Sequence, residues 1–424
     1  MSEETIYAAS WLINPDAPPI AGGALLVRDG LIVDSGPLDV LRRGYAAPVL
    51  DFPGCALLPG FVNAHTHLAL THFPSWRLRS SVDYNPRRFT DWIIQLIKIS
   101  RGLTAAEYPP SVHEGIRMCL ESGTTAIGEI ITNPALAGLY HKSPLVGRLY
   151  FECLGQDLNH FTSTFTAATA AATQGESQQL LTGISPHSPY TIAPEHLTAI
   201  RDSSASKTLP LAIHVSESRS EVEFIRNGSG DFASDFYPFV GWERFLGRPP
   251  GCSSTELLDR FGLLTPTTVA VHCVHLTAAD ADIIKSRGSH IVLCPRSNDL
   301  LDVGRAPVAL FKKTGISLAL GTDSLASNNS LSLWDELRFA LETFPDDLTE
   351  QDVLRMVTLG GAAALGVSDS CGSLAAGKRA DFQVISTSPG DESRVVQRVM
   401  RTGKLQEVFV GGMRYAGEIN LDVL

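Results

Sequence analysis

Short apolar runs of strand length alternate with segments of helical period through the middle of the chain. The strands predicted from these runs lie at 57–63, 124–130, 147–154, 181–185, 209–215, 268–273, 290–294 and 316–322. The helices predicted between them include 89–100, 105–122, 167–180, 194–202, 277–287, 304–314, 332–343 and 349–364. Eight strands that alternate with helices predict an α/β fold, a (β/α)8 barrel of the TIM type.

The two ends of the chain follow a different pattern. Residues 1–57 alternate short apolar runs with turn signals such as Asp29-Gly30, and residues 372–424 repeat turn and strand. Neither end carries enough apolar residues for a core of its own. We therefore expect both ends to form one small β-sandwich domain beside a barrel domain at 58–371.

Composition limits the class of partner and the compartment. The 424 residues carry a net charge of −11, which argues against a nucleic acid or an anionic membrane as partner. Residues 1–4 lack the apolar core of a secretory signal, and no apolar run approaches the length of a bilayer span. The seven cysteines are scattered and form no Cys-x-x-Cys pair. We expect a cytoplasmic protein that binds a small molecule.

Polar side chains stand at the carboxyl ends of four predicted strands. His65 and His67 close the first strand and point to the same face, because side chains alternate along a strand. His214, His272 and Asp323 close the fifth, sixth and eighth strands. In a barrel these ends meet at one mouth. Imidazoles and a carboxylate together suit Zn²⁺ or another borderline divalent ion, so the sequence predicts a metal site there.

The motifs around these residues resemble the amidohydrolase superfamily across nearly the whole chain. They are Pro59-Gly60-Phe61-Val62-Asn63-Ala64-His65-Thr66-His67, His214-x-x-Glu217, Val271-His272-Cys273-Val274-His275-Leu276, the segment 321–329 and Gly372-x-Leu374-x-x-Gly377-Lys378-x-Ala380-Asp381. Together with the segment 185–190, they are similar to one branch of that superfamily, the purine-nucleoside deaminases and chlorohydrolases. This branch includes S-adenosylhomocysteine/methylthioadenosine deaminases and aminodeoxyfutalosine deaminases.

The resemblance implies one divalent metal ion held by four side chains, namely His65, His67, His214 and Asp323, with His272 nearby. Zinc is the expected ion, and iron or manganese are alternatives. Relatives with two metal ions place a bridging, carboxylated lysine at the end of the fourth strand. This chain has no lysine between Lys142 and Lys207, and has His187 at that point, which favours a single ion.

The reaction that such a site performs assigns roles to the remaining residues. A metal ion lowers the pKa of a bound water molecule toward about 7. His272 and Asp323 are expected to orient that water, and Asp323 to take its proton and pass it to departing ammonia. Glu217 is expected to protonate the ring nitrogen of the substrate. His187 and Asn298 are expected to contact substrate; the alternative for His187 is a structural histidine.

The chain departs from a minimal barrel between His214 and His272, where 57 residues intervene. The segment is rich in aromatic residues, and we expect a lid over 226–260; a packing or dimer segment is the alternative. Such an insertion resembles aminodeoxyfutalosine deaminases more than the S-adenosylhomocysteine type. It favours a modified adenosine, first aminodeoxyfutalosine, an intermediate of menaquinone biosynthesis, then S-adenosylhomocysteine, methylthioadenosine or adenosine.

Other interpretations stay open at this stage. The same site could expel chloride, as in a chlorohydrolase, or act on guanine or another aminated heterocycle. A ring-opening cyclic amidase usually uses the lysine that this chain lacks. A non-catalytic scaffold would have lost ligands that are all present here. By analogy with related barrels, a homodimer is expected.

Overall fold

The computed structural model describes residues 4–175, 177 and 179–415. Its strands are β1 (Glu4–Leu12), β2 (Ile20–Ala21), β3 (Gly23–Arg28), β4 (Leu31–Pro37), β5 (Val49–Pro59), β6 (Phe61–Thr66), β7 (Thr124–Ile131), β8 (Val146–Cys153), β9 (Leu180–Pro186), β10 (Leu211–Val215), β11 (Thr268–His272), β12 (His290–Leu293), β13 (Leu318–Leu320), β14 (Phe382–Ser386), β15 (Lys404–Val410) and β16 (Met413–Arg414).

Its α-helices are α1 (Leu38–Gly44), α2 (Phe73–Ser80), α3 (Phe89–Arg101), α4 (Tyr108–Glu121), α5 (Ala137–His141), α6 (Leu158–Gln174), α7 (Leu197–Lys207), α8 (Arg219–Asn227), α9 (Tyr237–Val240), α10 (Ser254–Arg260), α11 (Ala278–Arg287), α12 (Pro295–Leu300), α13 (Val308–Thr314), α14 (Leu333–Thr343), α15 (Glu350–Arg355), α16 (Gly361–Leu365) and α17 (Val395–Thr402). Short 3₁₀ helices lie at Leu68–Leu70, Ala105–Glu107, Pro134–Leu136, Pro194–His196, Glu243–Phe245 and Glu392–Arg394, and π-helical turns at Phe232–Phe236 and Met356–Gly360.

Strands from the two chain ends form one sheet. Its order is β16-β15-β14-β5-β1-β3-β4, with β2 paired to β1. β5 joins the two ends, because it pairs parallel to β1 and antiparallel to β14. Gln383 of β14 also donates a hydrogen bond to the carbonyl oxygen of Pro59 at 3.0 Å and accepts one from the indole of Trp334 at 2.9 Å. These bonds attach the terminal sheet to the start of the barrel.

The barrel is built from eight parallel strands, β6 to β13, each paired with the next along the chain. The last strand meets the first at the mouth, where Thr66 and Asp323 form a parallel bridge. The backbone N–H of Asp323 donates to the carbonyl oxygen of His65 at 3.1 Å, and the Asn63 side chain bonds both the hydroxyl and the N–H of Thr322. The predicted fold class is confirmed. The division into domains at 57/58 and 371/372 remains a prediction.

Several predicted elements differ from the structure at their boundaries. The predicted strand 57–63 covers parts of two strands, because β5 ends at Pro59 in the terminal sheet and β6 begins at Phe61 in the barrel. Apolar residues stand on both sides of the junction, and the prediction missed the turn signal Pro59-Gly60 that divides the run between them. Gly60 separates the strands and packs closely: a Cβ on it would lie 2.2 Å from the hydroxyl oxygen of Thr125.

The predicted helix 167–180 is wrong at both ends. The helix α6 begins at Leu158, nine residues earlier, because the side chain of Asp157 caps it by accepting hydrogen bonds from the backbone N–H groups of Asn159 and His160. At its other end the helix stops at Gln174, and β9 begins at Leu180. The predicted helix 349–364 is interrupted by the π-helical turn at Met356–Gly360.

The long segment between β10 and β11 packs its aromatic rings against the barrel. Phe232, Phe236 and Tyr237 are buried, and the phenol of Tyr237 donates to the backbone oxygen of Tyr190 at 3.0 Å. On the outer face, Arg88 of the loop before α3 pairs with Asp231 and Asp235. The segment is therefore anchored on several sides, while a lid function remains a prediction.

The described part of the chain contains neither a membrane-spanning helix nor a disulfide bond. Among the described residues, no helix combines the length and the apolar character needed to cross a bilayer. All seven cysteines are free thiols, and six of them are buried.

Gly321 lies where β13 reaches the first metal-site strand. A Cβ on it would lie 2.8 Å from both the Cβ and the backbone oxygen of His65. We expect Gly321→Ala to displace His65, to lower the metal content and to destabilise the fold by roughly 1–3 kcal/mol. Metal analysis and thermal unfolding test this. Gly36→Ala is the control, because a Cβ there meets nothing within 4 Å. Wild-type metal content and stability in Gly321→Ala would contradict the expectation.

Candidate metal centre

Five of the predicted side chains converge at the carboxyl end of the barrel. The Nε2 atom of His65 lies 3.2 Å from Nε2 of His67 and 3.7 Å from Oδ1 of Asp323. Nε2 of His67 lies 3.6 Å from the same carboxylate oxygen. The ligand atoms of His65, His214 and His272 lie within 4.8 Å of one another, as do those of His65, His67 and Asp323. The structure thus brings together residues that are up to 258 positions apart.

Hydrogen bonds on the far side of two imidazoles determine which nitrogen faces the cluster. Nδ1–H of His214 donates to the backbone oxygen of His187 at 2.8 Å. Nδ1–H of His272 donates to Oδ1 of Asn298 at 3.0 Å. Both rings therefore present an unprotonated Nε2 to the centre. This arrangement is typical of histidines that bind a metal ion.

Asp323 is oriented by two serine hydroxyls. Ser297 and Ser327 donate to Oδ2 at 2.8 and 2.6 Å, which leaves Oδ1 facing the imidazoles. Burial alone raises the pKa of Asp323, but the neighbouring imidazoles of His65 and His67 lower that pKa well below its usual range. The residue is therefore a carboxylate. Ser297 and Ser327 were not recognised in the sequence as parts of the site.

Burial favours the neutral form of four imidazoles at the centre, those of His67, His187, His214 and His272. It lowers the pKa of His67 to about 3, and those of His187 and His272 to about 4. The pKa of His214 is also lowered, because its ring is buried among other imidazoles. A metal ion binds neutral imidazole and ionised carboxylate. The protonation states and the spacing of these donors fit a divalent cation.

Glu217 is a second carboxyl group at the centre, and its environment is the opposite of that of Asp323. It is 5% exposed, and its Oε1 lies 3.6 Å from Nε2 of His272. Burial, together with the charges of Asp323 and Glu221, raises the pKa of Glu217 well above its usual range. Glu217 therefore keeps its proton to a higher pH than an ordinary glutamate does, and this proton can be donated to a bound molecule.

The loop that carries Glu217 is held by a buried glutamate. Glu221 accepts hydrogen bonds from the backbone N–H groups of Ser216 and Glu217 at 2.7 and 2.9 Å, and from the hydroxyl of Ser254 at 2.5 Å. Ser218 caps the same helix by accepting from the N–H of Glu221. The spacing Ser218-x-x-Glu221 before an apolar stretch is a capping signal in the sequence, and it could have identified this support.

Two further buried glutamates hold neighbouring loops in the same way. Glu129 on β7 accepts from the backbone N–H of Leu68, directly after His67, at 2.9 Å. Glu336 on α14 accepts from the backbone N–H of Arg296 at 2.9 Å and from the side-chain amide of Asn328 at 3.2 Å. Glu129 is the one charged residue of β7, where it is flanked by apolar residues and glycine, which is a detectable signal. The position of Glu336 on its helix gives no such signal.

The predicted substrate contacts lie beside the cluster. The ring of His187 lies 4.9 Å from that of His214, centroid to centroid, and its Nδ1 is 3.0 Å from the hydroxyl of Ser188. Asn298 is 3% exposed and contacts His272, so the structure gives it a part in orienting that imidazole. Direct contact of either residue with a substrate remains a prediction.

Backbone strain is concentrated at the strand ends that form the centre. Ser216, His272, Cys273 and Asp323 all have a positive φ, between 50° and 69°. Non-glycine residues adopt this region rarely and at a cost of about 1–3 kcal/mol each. The surrounding hydrogen bonds hold them there, as expected where side chains must be aimed at one point.

Comparisons with known proteins agree with this geometry. A model of the family described as "Amidohydrolase family" matches residues 56–414. A 5-methylthioadenosine/S-adenosylhomocysteine deaminase of Syntrophobacter fumaroxidans is 31% identical over 391 residues, covering 88% of this chain and 82% of the relative. An aminodeoxyfutalosine deaminase of Deinococcus radiodurans is 30% identical over 358 residues, 81% of each chain. The crystal structure of a zinc-bound adenosine deaminase from Xanthomonas campestris superposes with a TM-score of 0.81 at 26% identity, over 97% of this chain and 92% of that one.

The pH dependence of stability can test the buried state of Glu336. Burial raises the pKa of Glu336 from 4.5 to about 8. The folded state therefore binds the carboxyl proton of Glu336 more tightly than the unfolded state does. The stability linked to this proton is fully present below the unfolded-state pKa of 4.5 and is lost as the pH rises through the folded-state pKa of about 8. We expect the free energy of unfolding of wild type, relative to Glu336→Gln, to fall with pH in that window, by at most about 1.4 kcal/mol per unit.

Urea denaturation at several pH values measures this difference. Glu342→Gln removes an exposed carboxylate from the same helix and is the matched control. A difference between wild type and Glu336→Gln that is constant from pH 4.5 to pH 8 would contradict the assignment.

Proposed function

The chain belongs to the amidohydrolase family of metal-dependent hydrolases, and from this premise we propose that it is a hydrolytic deaminase of a 6-aminopurine nucleoside. The observation that carries the proposal is the pair of buried carboxyl groups at the centre. The environment of Glu217 favours its protonated form and that of Asp323 favours its ionised form; His272 contacts the first carboxyl group and His67 the second. Such a pair can donate one proton while it accepts another. Relatives named as nucleoside deaminases support the same reaction.

We propose that one divalent ion is held by four side chains of the cluster, namely His65, His67, His214 and Asp323. Their three imidazoles and single carboxylate support zinc as the ion, as does the zinc in the adenosine deaminase of X. campestris. Iron or manganese are the alternatives. When bound, the ion supplies Lewis-acid activation of water at neutral pH.

The chain's own residues then handle the protons. Asp323 accepts a proton from the attacking water through its carboxylate and delivers it to the departing amine. Glu217 donates its carboxyl proton to the ring nitrogen beside the amine-bearing carbon, which becomes more basic as attack proceeds. His272 orients the water, because Asn298 holds its ring by Nδ1 and leaves Nε2 directed inward. His187, next to His214, contacts the purine.

Among nucleosides we propose aminodeoxyfutalosine first, followed by S-adenosylhomocysteine, methylthioadenosine and adenosine. The long segment between β10 and β11 supports a substrate with a bulky 5′ substituent. It reaches the end of the fourth barrel strand, where Tyr237 bonds the backbone of Tyr190, three residues after His187. The 30% identity to the D. radiodurans enzyme supports aminodeoxyfutalosine as a substrate, and the 31% identity to the S. fumaroxidans enzyme supports S-adenosylhomocysteine and methylthioadenosine to the same extent.

Release of ammonia from a panel of compounds tests the proposal. Zinc-loaded protein is incubated with aminodeoxyfutalosine, S-adenosylhomocysteine, methylthioadenosine, adenosine, guanine and a chlorotriazine. We expect ammonia from one or more of the adenosine derivatives and none from guanine. Chloride release from the triazine, or ammonia from guanine alone, would replace the proposal with the corresponding activity. If the metal-loaded protein releases neither ammonia nor chloride from any compound of the panel, 6-aminopurine nucleosides are not its substrates.

Substitution of the acid separates catalysis from metal binding. We expect Glu217→Gln to keep its metal and to lower kcat by roughly 10²- to 10⁴-fold, because the amide has no proton of suitable acidity. Asp323→Ala is the contrast and should lose both metal and activity. Metal analysis and kcat are measured on the same preparations. Metal loss in Glu217→Gln, or near-normal turnover in Asp323→Ala, would show that these roles are misassigned.

A further inference from the structure

A cavity of about 630 Å³ lies among loops at the carboxyl end of the barrel. Three loops that follow adjacent barrel strands build it: the start of α8 after β10, the turn after β11, and the segment after α12. The residues that matter for its chemistry are Arg219, Glu223, Arg226, His275 and Arg305. Its volume is in the range of pockets that hold small molecules.

The three arginines of this cavity have no carboxylate partner. Across the described ranges, the guanidinium groups of Arg219, Arg226 and Arg305 form neither a hydrogen bond nor an ion pair with another residue. Many other arginines of the chain are paired: Arg244 pairs with Asp157 at 2.9 Å, and Arg287 with Asp259 at 2.5 Å. The cavity therefore concentrates unpaired guanidinium groups at one place.

The lining also carries an excess of positive charge. Glu223 is the single carboxylate among the lining residues, and its Oε1 already accepts a hydrogen bond from the hydroxyl of Ser229 at 2.9 Å. His275 is fixed by donating from Nε2 to the backbone oxygen of Val303 at 2.8 Å. The lining therefore has three guanidinium groups and one carboxylate, whereas the whole chain has a net charge of −11. Such a concave positive surface attracts anions.

The position of the cavity relates it to the active end of the barrel. Arg219 lies two residues after Glu217, and His275 lies three residues after His272. Ligands of barrel enzymes bind at this end, where the loops after the strands meet. A molecule in the cavity is therefore adjacent to the loops that carry the acid and the orienting imidazole.

We propose that this cavity binds a carboxylate or phosphate group through Arg219, Arg226 and Arg305. Guanidinium groups bind both kinds of oxyanion with paired, charge-assisted hydrogen bonds. The anionic group has two sources, the 5′ tail of the nucleoside or a separate small metabolite. The first source rests on the function proposed above, whereas the second does not depend on it.

Calorimetric titration of the zinc-loaded full chain with inorganic phosphate and with succinate tests the site. We expect saturable binding to wild type, binding at least about tenfold weaker in Arg226→Ala and in Arg305→Ala, and loss of binding in the double variant Arg226→Glu/Arg305→Glu. Both residues are exposed, so circular dichroism should show an intact fold. Arg355→Ala, an exposed arginine outside the cavity, is the matched control and should bind as wild type does.

Absence of saturable binding to wild type, or equal binding by the double variant, would overturn the proposal, whether or not the protein deaminates nucleosides. Kinetics distinguish the two sources. If the nucleoside supplies the anion, the KM for a 5′-carboxylated adenosine should rise in Arg305→Ala relative to the KM for adenosine, by about tenfold. If a separate metabolite is the ligand, this ratio stays constant while the affinity for phosphate or succinate falls.

Discussion

Closure of the barrel at its mouth is the interaction on which the rest of the structure depends. β13 is short, and it meets β6 where Thr66 bridges Asp323 and the N–H of Asp323 bonds the carbonyl oxygen of His65. The first and the last barrel strands are therefore joined at residues that also belong to the candidate metal centre. The spacing of His65 and Asp323 follows from this backbone register, and the requirement for a small residue at Gly321 follows from the same close approach.

The centre buries many polar groups, and each must be satisfied for the fold to tolerate it. Three buried glutamates satisfy backbone N–H groups in the loops that follow the strands of the site. Glu129, Glu221 and Glu336 each accept a hydrogen bond from such a group. Each of these carboxyl groups fixes the backbone of a loop by hydrogen bonds. The strained φ values at Ser216, His272 and Asp323 persist because these supports are in place.

The sequence predicted the fold class and the converging strand ends because both depend on local signals. Alternating strands and helices are visible as periodicity, and His65-x-His67 is visible as spacing at the end of a strand. The supports were missed because their contacts are distant in sequence: Ser297 bonds Asp323 across 26 positions, and Glu129 bonds Leu68 across 61. Asn298 was expected to contact substrate, and nothing local to it indicates that its oxygen meets His272. The junction at Gly60 was missed although Pro59-Gly60 is a turn signal, because apolar residues stand on both sides of it.

The central place of β5 in the terminal sheet has a consequence for biosynthesis. β5 is made before the barrel, but one of its two neighbours, β14, is made only after the barrel is complete. A nascent chain therefore carries β5 with an unpaired edge, a feature that invites pairing with other chains. The hydrogen bond from Gln383 to Pro59 forms at the same late moment. Ribosomal release of β14 thus ends the period in which this protein is open to aggregation along that edge.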